Sequence, residues 1–204
     1  PTLVDMLKRD RRWCQGNMQH FWLLFAKGWH PMSRLNFFHG ILSYVSSVLW
    51  FAFLVLVTFL AALPGSSATT QGVLAEELLL GLTVTLIFLP KIVILLDELF
   101  TGRLFRPLKL RLLTLLSSLG DTIVFTLMAP VLMVFHARFV VYTILGKGVT
   151  WAAQRRKLDG GIDWWQALVT YGPISLLGLG WGVIAWMVSQ SFLLWISPIL
   201  VSLL

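Results

Sequence analysis

An arginine beside a tryptophan, Arg12-Trp13, sits in the stretch KRDRRWCQGN (residues 8–17), where Lys8, Arg9, Arg11 and Arg12 surround a single aspartate, Asp10. A guanidinium presents a planar fork of donors that matches phosphate oxygens, and an indole face gives the C–H face of a pyranose a surface to stack on. Side by side, Arg12 and Trp13 have the chemistry to hold a nucleotide's phosphates and a sugar at one place. The same composition suits an anchor in which Trp13, Phe21 and Trp22 lie among lipid headgroups. Both readings require a membrane close by.

The rest of the chain supplies one. Hydrophobic residues make up 57% and charged residues 12% of it, a balance far from that of soluble domains. The run Ile41 to Leu63 spans about 35 Å as a helix, more than the roughly 30 Å hydrocarbon core. The turn-forming PGSSATTQG that follows (64–72) has no Lys or Arg. A second apolar run, Leu78 to Leu96, carries Pro90 and Lys91 near its end and is followed by Asp97, Glu98, Arg103, Arg106, Lys109 and Arg111. Cations stay on the cytoplasmic side, so the cation-free loop faces the periplasm or exterior and the opening cluster faces the cytoplasm. Lys91, about one turn from the helix end, can snorkel to that face. The net charge of +7 thus belongs to a membrane face and predicts no nucleic-acid partner.

The stretch Leu112 to Leu145 departs from an ordinary crossing. A single pass would export Lys147, Arg155, Arg156 and Lys157, and the stretch also contains Asp121, Pro130, His136 and Arg138. An interfacial or re-entrant helix over 112–146 answers both points, and a hairpin broken near Pro130 satisfies the charge rule equally well. Asp121, an acid in an apolar run, is a functional candidate by default, although the polar face of an interfacial helix accounts for it more simply. Leu168 to Val188 spans again, and Gly172, Gly178, Gly180 and Gly182 suggest close approach of a neighbouring helix. Ser191 to Leu204 begins the return. The predicted fold is an all-α membrane protein of about four transmembrane helices plus a cytoplasmic interfacial region. Its parts are an Arg-Trp segment (1–40), a helix pair with a basic loop (41–111), the helix of 112–146, a second basic loop (147–167) and a closing pair (168–204). The opening proline and the short final run predict a piece of a longer protein. One cysteine, Cys14, and four scattered histidines give no metal-ligand spacing.

Arg-Trp followed by a spanning pair, an interfacial helix and a basic loop resembles the membrane half of processive family 2 glycosyltransferases, whose motif is Gln-x-x-Arg-Trp. More closely, DMLKRDRRWCQGN, KGWHP, IFLPK, LMAPVLMVFH and TWAAQRR are similar, in this order and along essentially the whole chain, to the glucans biosynthesis glucosyltransferase H family.

That resemblance implies an enzyme of the bacterial inner membrane that polymerises glucose from UDP-glucose into osmoregulated periplasmic glucan and passes it across the bilayer. Arg12 would face the donor diphosphate and Trp13 the acceptor sugar. Arg9 stands where the motif has Gln, and its guanidinium can also serve a diphosphate. The resemblance assigns Thr150, Trp151, Arg155 and Arg156 to a loop that closes over nucleotide; an ordinary positive-inside loop is the competing reading. Trp50, mid-span with Tyr44, is a candidate for stacking sugar in a channel, whereas Trp164, Trp165 and Trp195 suit interfacial belts. The family's Asp-x-Asp metal motif and catalytic base precede the Arg-Trp motif, and this chain has no Asp-x-Asp. Mg²⁺ is therefore expected on ligands outside this chain, no catalytic residue is expected within it, and a periplasmic glucan-processing partner is possible. The competing class is a non-enzymatic membrane module, a transporter subunit using Lys91 and Asp121 or a scaffold.

Overall fold

The computed structural model describes residues 2–63, 88–97, 108–149 and 164–204, together with 78, 81, 82, 84 and 85. Among them there are helices and turns and no strand. The helices are α1 (Leu3–Gln19), α2 (Pro31–Ala62), α3 (Leu108–Ile144), α4 (Trp164–Val188) and α5 (Gln190–Leu203), and a 3-10 turn, His20–Leu24, follows α1. Residues 88–97, which take in the end of the second apolar run, are also helical. Three helices among the described residues are long and apolar enough to cross a membrane: Pro31–Ala62, Leu112–Ile144 and Trp164–Val188. The fold is the all-α membrane architecture that the sequence predicts; the second apolar run, counted there as a fourth span, lies partly outside the described residues.

By packing, the chain forms two compact units, one of Pro1–Ala62 and Leu127–Leu204, the other of Leu63–Thr126. The first carries the Arg-Trp motif. Thr2 opens α1 with a capping box: its hydroxyl accepts from the Asp5 amide (3.3 Å), and the Asp5 carboxylate accepts from the Thr2 amide (3.2 Å). The Thr2 hydroxyl also donates to Asp5 (2.8 Å), which holds that carboxyl below its usual range. After the 3-10 turn, Gly28 takes φ 92°, a conformation open to glycine at no cost. The Arg34 guanidinium closes the turn by donating to the Ala26 carbonyl (3.0 Å). Pro31 then starts α2, where its missing N–H costs nothing. The 32 residues of α2 reach about 48 Å, so its first turns extend past the hydrocarbon thickness.

α3 runs through Pro130 as one helix. The chain therefore does not reverse there, which corrects both the re-entrant and the hairpin form expected for this segment. A missing amide donor is tolerated inside an apolar helix when neighbouring groups compensate, and Pro130 is itself buried.

Two apolar clusters hold the first unit together. Leu7, Cys14, Tyr44, Phe135, Phe139, Val140, Ile174 and Leu203 form one; Leu54, Met133, Trp181, Ala185, Ile196 and Leu200 form the other. A buried hydrogen bond from the Trp181 indole to Thr58 (2.9 Å) ties α4 to α2, and the Thr58 hydroxyl in turn donates to the Leu54 carbonyl (2.8 Å). Ser189 caps α5 by accepting from the Phe192 amide (3.0 Å), and α5 returns antiparallel along α4. A methyl group at Gly178 would stand 2.9 Å from Leu203 Cβ, and one at Gly182 would stand 3.7 Å from Leu200. Gly180 faces open space and Gly172 meets only Leu168 of its own helix. Of the four glycines expected to admit a neighbour, two do so.

Gly178→Ala should therefore destabilise the α4–α5 hairpin by about 1–3 kcal/mol through overpacking. Gly180→Ala should be neutral or stabilise by up to about 1 kcal/mol. Thermal unfolding of the two variants in detergent checks the difference.

Candidate functional site

The two sides of α1 differ in burial, and the Arg-Trp motif lies on the more open one. Leu7 and Cys14, two turns apart, are buried, so the helix is fixed against α2 and α3 along that line. Arg9, Arg12 and Trp13 follow at the i, i+3, i+4 spacing that places side chains on one face, away from the buried line. Trp13 is 57% exposed and Arg12 is half-buried, with contacts of its own. The Arg9 guanidinium lies 4.9 Å from the centre of the Trp13 ring, within cation–π reach. It also pairs with Asp10 at 3.4 Å. Arg9 thus braces the indole. Beyond α1, Trp22 and Phe25 are 77% and 71% exposed, extending the aromatic surface toward α2.

Behind the motif is a polar contact that the sequence does not announce. The other Asp10 oxygen lies 3.5 Å from His136 Nε2, with both side chains largely buried. That nitrogen has no hydrogen-bond partner among the described residues, leaving the Asp10 carboxylate as its neighbouring charge. The His136 ring is stacked edge-on to Tyr44, centroids 5.1 Å apart. Asp10 therefore links the arginine that braces Trp13 to the α3 histidine and, through it, to α2. Cys14 packs on the same side against Thr143, and burial pushes its thiol up to about 11. A thiol so placed is inert packing rather than a nucleophile.

The remaining candidates scatter. Tyr44 is buried in the first cluster, while Trp50 is 37% exposed on another face of α2, so the two do not share a sugar-lined surface. Trp164, Trp165 and Trp195 are all exposed. Thr150, Trp151, Arg155 and Arg156 lie outside the described residues. In the second unit, Asp121 lines an open groove with Leu110, Leu113, Thr114, Ser117 and Ser118. Lys91 donates to the Thr122 hydroxyl (2.5 Å). Among the described residues no group of three His, Cys, Asp or Glu side chains is placed to hold a metal ion. Asp5 and Asp10, the acids of α1, are already taken by Thr2 and by Arg9 and His136. The described residues do not fit Mg²⁺.

Three helices long and apolar enough to cross a membrane, in a chain similar to the relatives below, make this a multi-pass inner-membrane protein. The chain is a homologue of the proteins named Glucans biosynthesis glucosyltransferase H. It is 37% identical to that of Pseudomonas syringae pv. tomato over 218 aligned positions, which cover 100% of this chain and 25% of the relative. Against the Pseudomonas putida protein the identity is 37% over 217 positions, again 25% of the relative, and against Pseudomonas entomophila it is 38% over 218, with the same coverage. The chain thus spans about a quarter of the length of the curated relatives it matches. No family model and no solved structure matches it.

Asp10→Ala should lower stability by about 1–3 kcal/mol, because it removes the carboxylate set between the Arg9 guanidinium and the buried His136 ring. Asp10→Asn, which keeps an acceptor, should cost less. Melting of both variants in detergent tests the order; equal melting of Asp10→Ala and the parent would mean that the pair holds nothing.

Proposed function

We propose that this chain is the membrane part of an inner-membrane glucosyltransferase that extends a glucan from UDP-glucose and passes the product across the bilayer. The observation that carries the reading is 37% identity along the entire chain to a protein named Glucans biosynthesis glucosyltransferase H. The geometry supports it. Arg12 supplies a donor fork for the nucleotide diphosphate. Trp13, exposed and braced by Arg9, offers the growing glucan's terminal sugar a flat apolar face. Bracing matters because an indole that is held in place gives up little rotamer freedom when the sugar arrives. Arg9 acts mainly on Trp13 and secondarily on phosphate.

Catalysis itself belongs to residues beyond this chain. Asp10 and Asp5 are engaged in structural pairs, so neither is free to take a proton from an acceptor hydroxyl. Mg²⁺ would neutralise diphosphate charge on ligands elsewhere in the full-length protein. The loop residues Thr150, Trp151, Arg155 and Arg156 are proposed to close over the nucleotide, and Trp50 to contact sugar on its way out.

In the full-length protein, Trp13→Ala should reduce glucan formed from UDP-[14C]glucose by about tenfold or more, with folding preserved because the side chain is exposed. Asp121→Asn should be milder. Purified chain alone should transfer no glucose. Full polymer yield from the Trp13 variant would end the acceptor role, and solute movement abolished by Asp121→Asn would favour a transporter.

A further inference from the structure

Three cations converge on one tyrosine at the end of α3. The Arg138 guanidinium lies 5.0 Å from the Tyr142 ring centre, Lys147 Nζ 5.0 Å and the Arg11 guanidinium 5.5 Å. Arg138 Nε also donates to the Tyr142 hydroxyl oxygen (2.9 Å), which leaves the hydroxyl proton free to donate outward.

The backbone places these groups independently. Gly146, with φ 71°, closes α3 in a Schellman turn: the Gly146 amide donates to the Thr143 carbonyl (3.1 Å) and the Lys147 amide to that of Tyr142 (2.9 Å). Lys147 is thereby turned back over the last helical turn, onto a ring where such motifs usually hold an apolar contact. Arg11 comes from a different helix. α1 is held at this end of α3 by Cys14 against Thr143 and by Gln15, whose side-chain carbonyl accepts from the Val149 amide (3.0 Å).

Like charges brought this close repel one another unless something negative joins them. Among the described residues the carboxylate ion pairs are those of Asp10 with Arg9 and with His136, and none reaches Arg11, Arg138 or Lys147. The negative end of the α3 dipole favours the cations of its own last turn. It does not account for a third cation delivered by α1. Cations that merely keep a loop on the cytoplasmic side need not share a target; these share one.

We propose that Arg11, Arg138, Lys147 and the Tyr142 hydroxyl form a phosphate-binding site, distinct from the Arg12-Trp13 face. Two guanidinium forks, an ammonium and a hydroxyl can all donate to the oxygens of one phosphate. Its source is either an anionic lipid headgroup or a soluble phosphate. The surroundings favour the lipid: the site lies where the apolar Leu112–Ile144 helix ends, and Ile144 and Leu145 beside Lys147 are 71% and 63% exposed, so a phosphate there would have apolar surface for its acyl chains directly below.

Native mass spectrometry of the full-length protein in detergent, with added phosphatidylglycerol or phosphatidylcholine, tests the lipid arm. Calorimetric titration with sodium pyrophosphate tests the soluble arm. The wild type should retain phosphatidylglycerol in preference to phosphatidylcholine, and Arg138→Gln with Lys147→Gln should weaken that retention about fivefold per cation removed. Tyr142→Phe should weaken it less. Pyrophosphate binding that depends on the same two cations, without lipid selectivity, would assign the site to a soluble phosphate. The proposal falls if neither ligand's binding depends on Arg138 and Lys147, or if Lys27→Gln, a neutralisation of an exposed cation elsewhere, has the same effect per charge. None of these readouts requires glucosyl transfer, so they stand apart from the enzymatic reading.

Discussion

Burial of Leu7 and Cys14 against Tyr44, Phe135 and Phe139 is the contact on which the arrangement depends. Helix α1 is rich in charge, and this apolar line, with Gln15 on Val149 and Asp10 beside His136, is what keeps it at a membrane-capable bundle. Once the line is fixed, the 3.6-residue period decides every other side chain on the helix. Arg9, Arg12 and Trp13 turn outward, and Arg11 is carried to the end of α3. Asp10 is carried inward, where a carboxylate without a partner would cost far more than the contact gains. His136 and Arg9 supply those partners. Motif presentation and helix docking are thus one geometric event.

Much of this was legible in the sequence, and the illegible part has a common cause. Apolar runs of twenty residues identify themselves, because only an all-bonded backbone survives in hydrocarbon and its side chains must be apolar over that length. Arg12 and Trp13 were readable because adjacency is a property of sequence. The Asp10–His136 pair was not: its members lie on different helices, and His136 looked like an interruption of an apolar run rather than half of a contact. Arg11 and Lys147 were visible as positive-inside charges and Arg138 as an interruption of an apolar stretch, and nothing in sequence shows that they meet at Tyr142.

Two local signals pointed further than the fold went. Pro130 reads as a break, since it removes an amide donor and crowds the preceding turn, yet α3 continues through it. Glycines at 172, 178, 180 and 182 read as sites of close helix approach, yet only Gly178 and Gly182 meet α5. In both cases the residue type states what is permitted, and the partner surface decides what is used.

The same logic bears on how the exposed Arg-Trp face and a bilayer can coexist. Within hydrocarbon, apolar burial drives helix association weakly, because lipid tails are as apolar as the side chains they replace. Specific contacts must then do the fixing. Here they are the Gly178 notch, which admits Leu203, the Trp181–Thr58 hydrogen bond and the antiparallel return of α5. Small and singly polar residues therefore fix the register of a bundle whose bulk is the two apolar clusters. The residues that present chemistry are charged and aromatic, and they collect on α1 and at the end of α3, where water and headgroups can share their solvation. That division lets α1 keep four cations in one stretch of ten residues without carrying any of them into the apolar core.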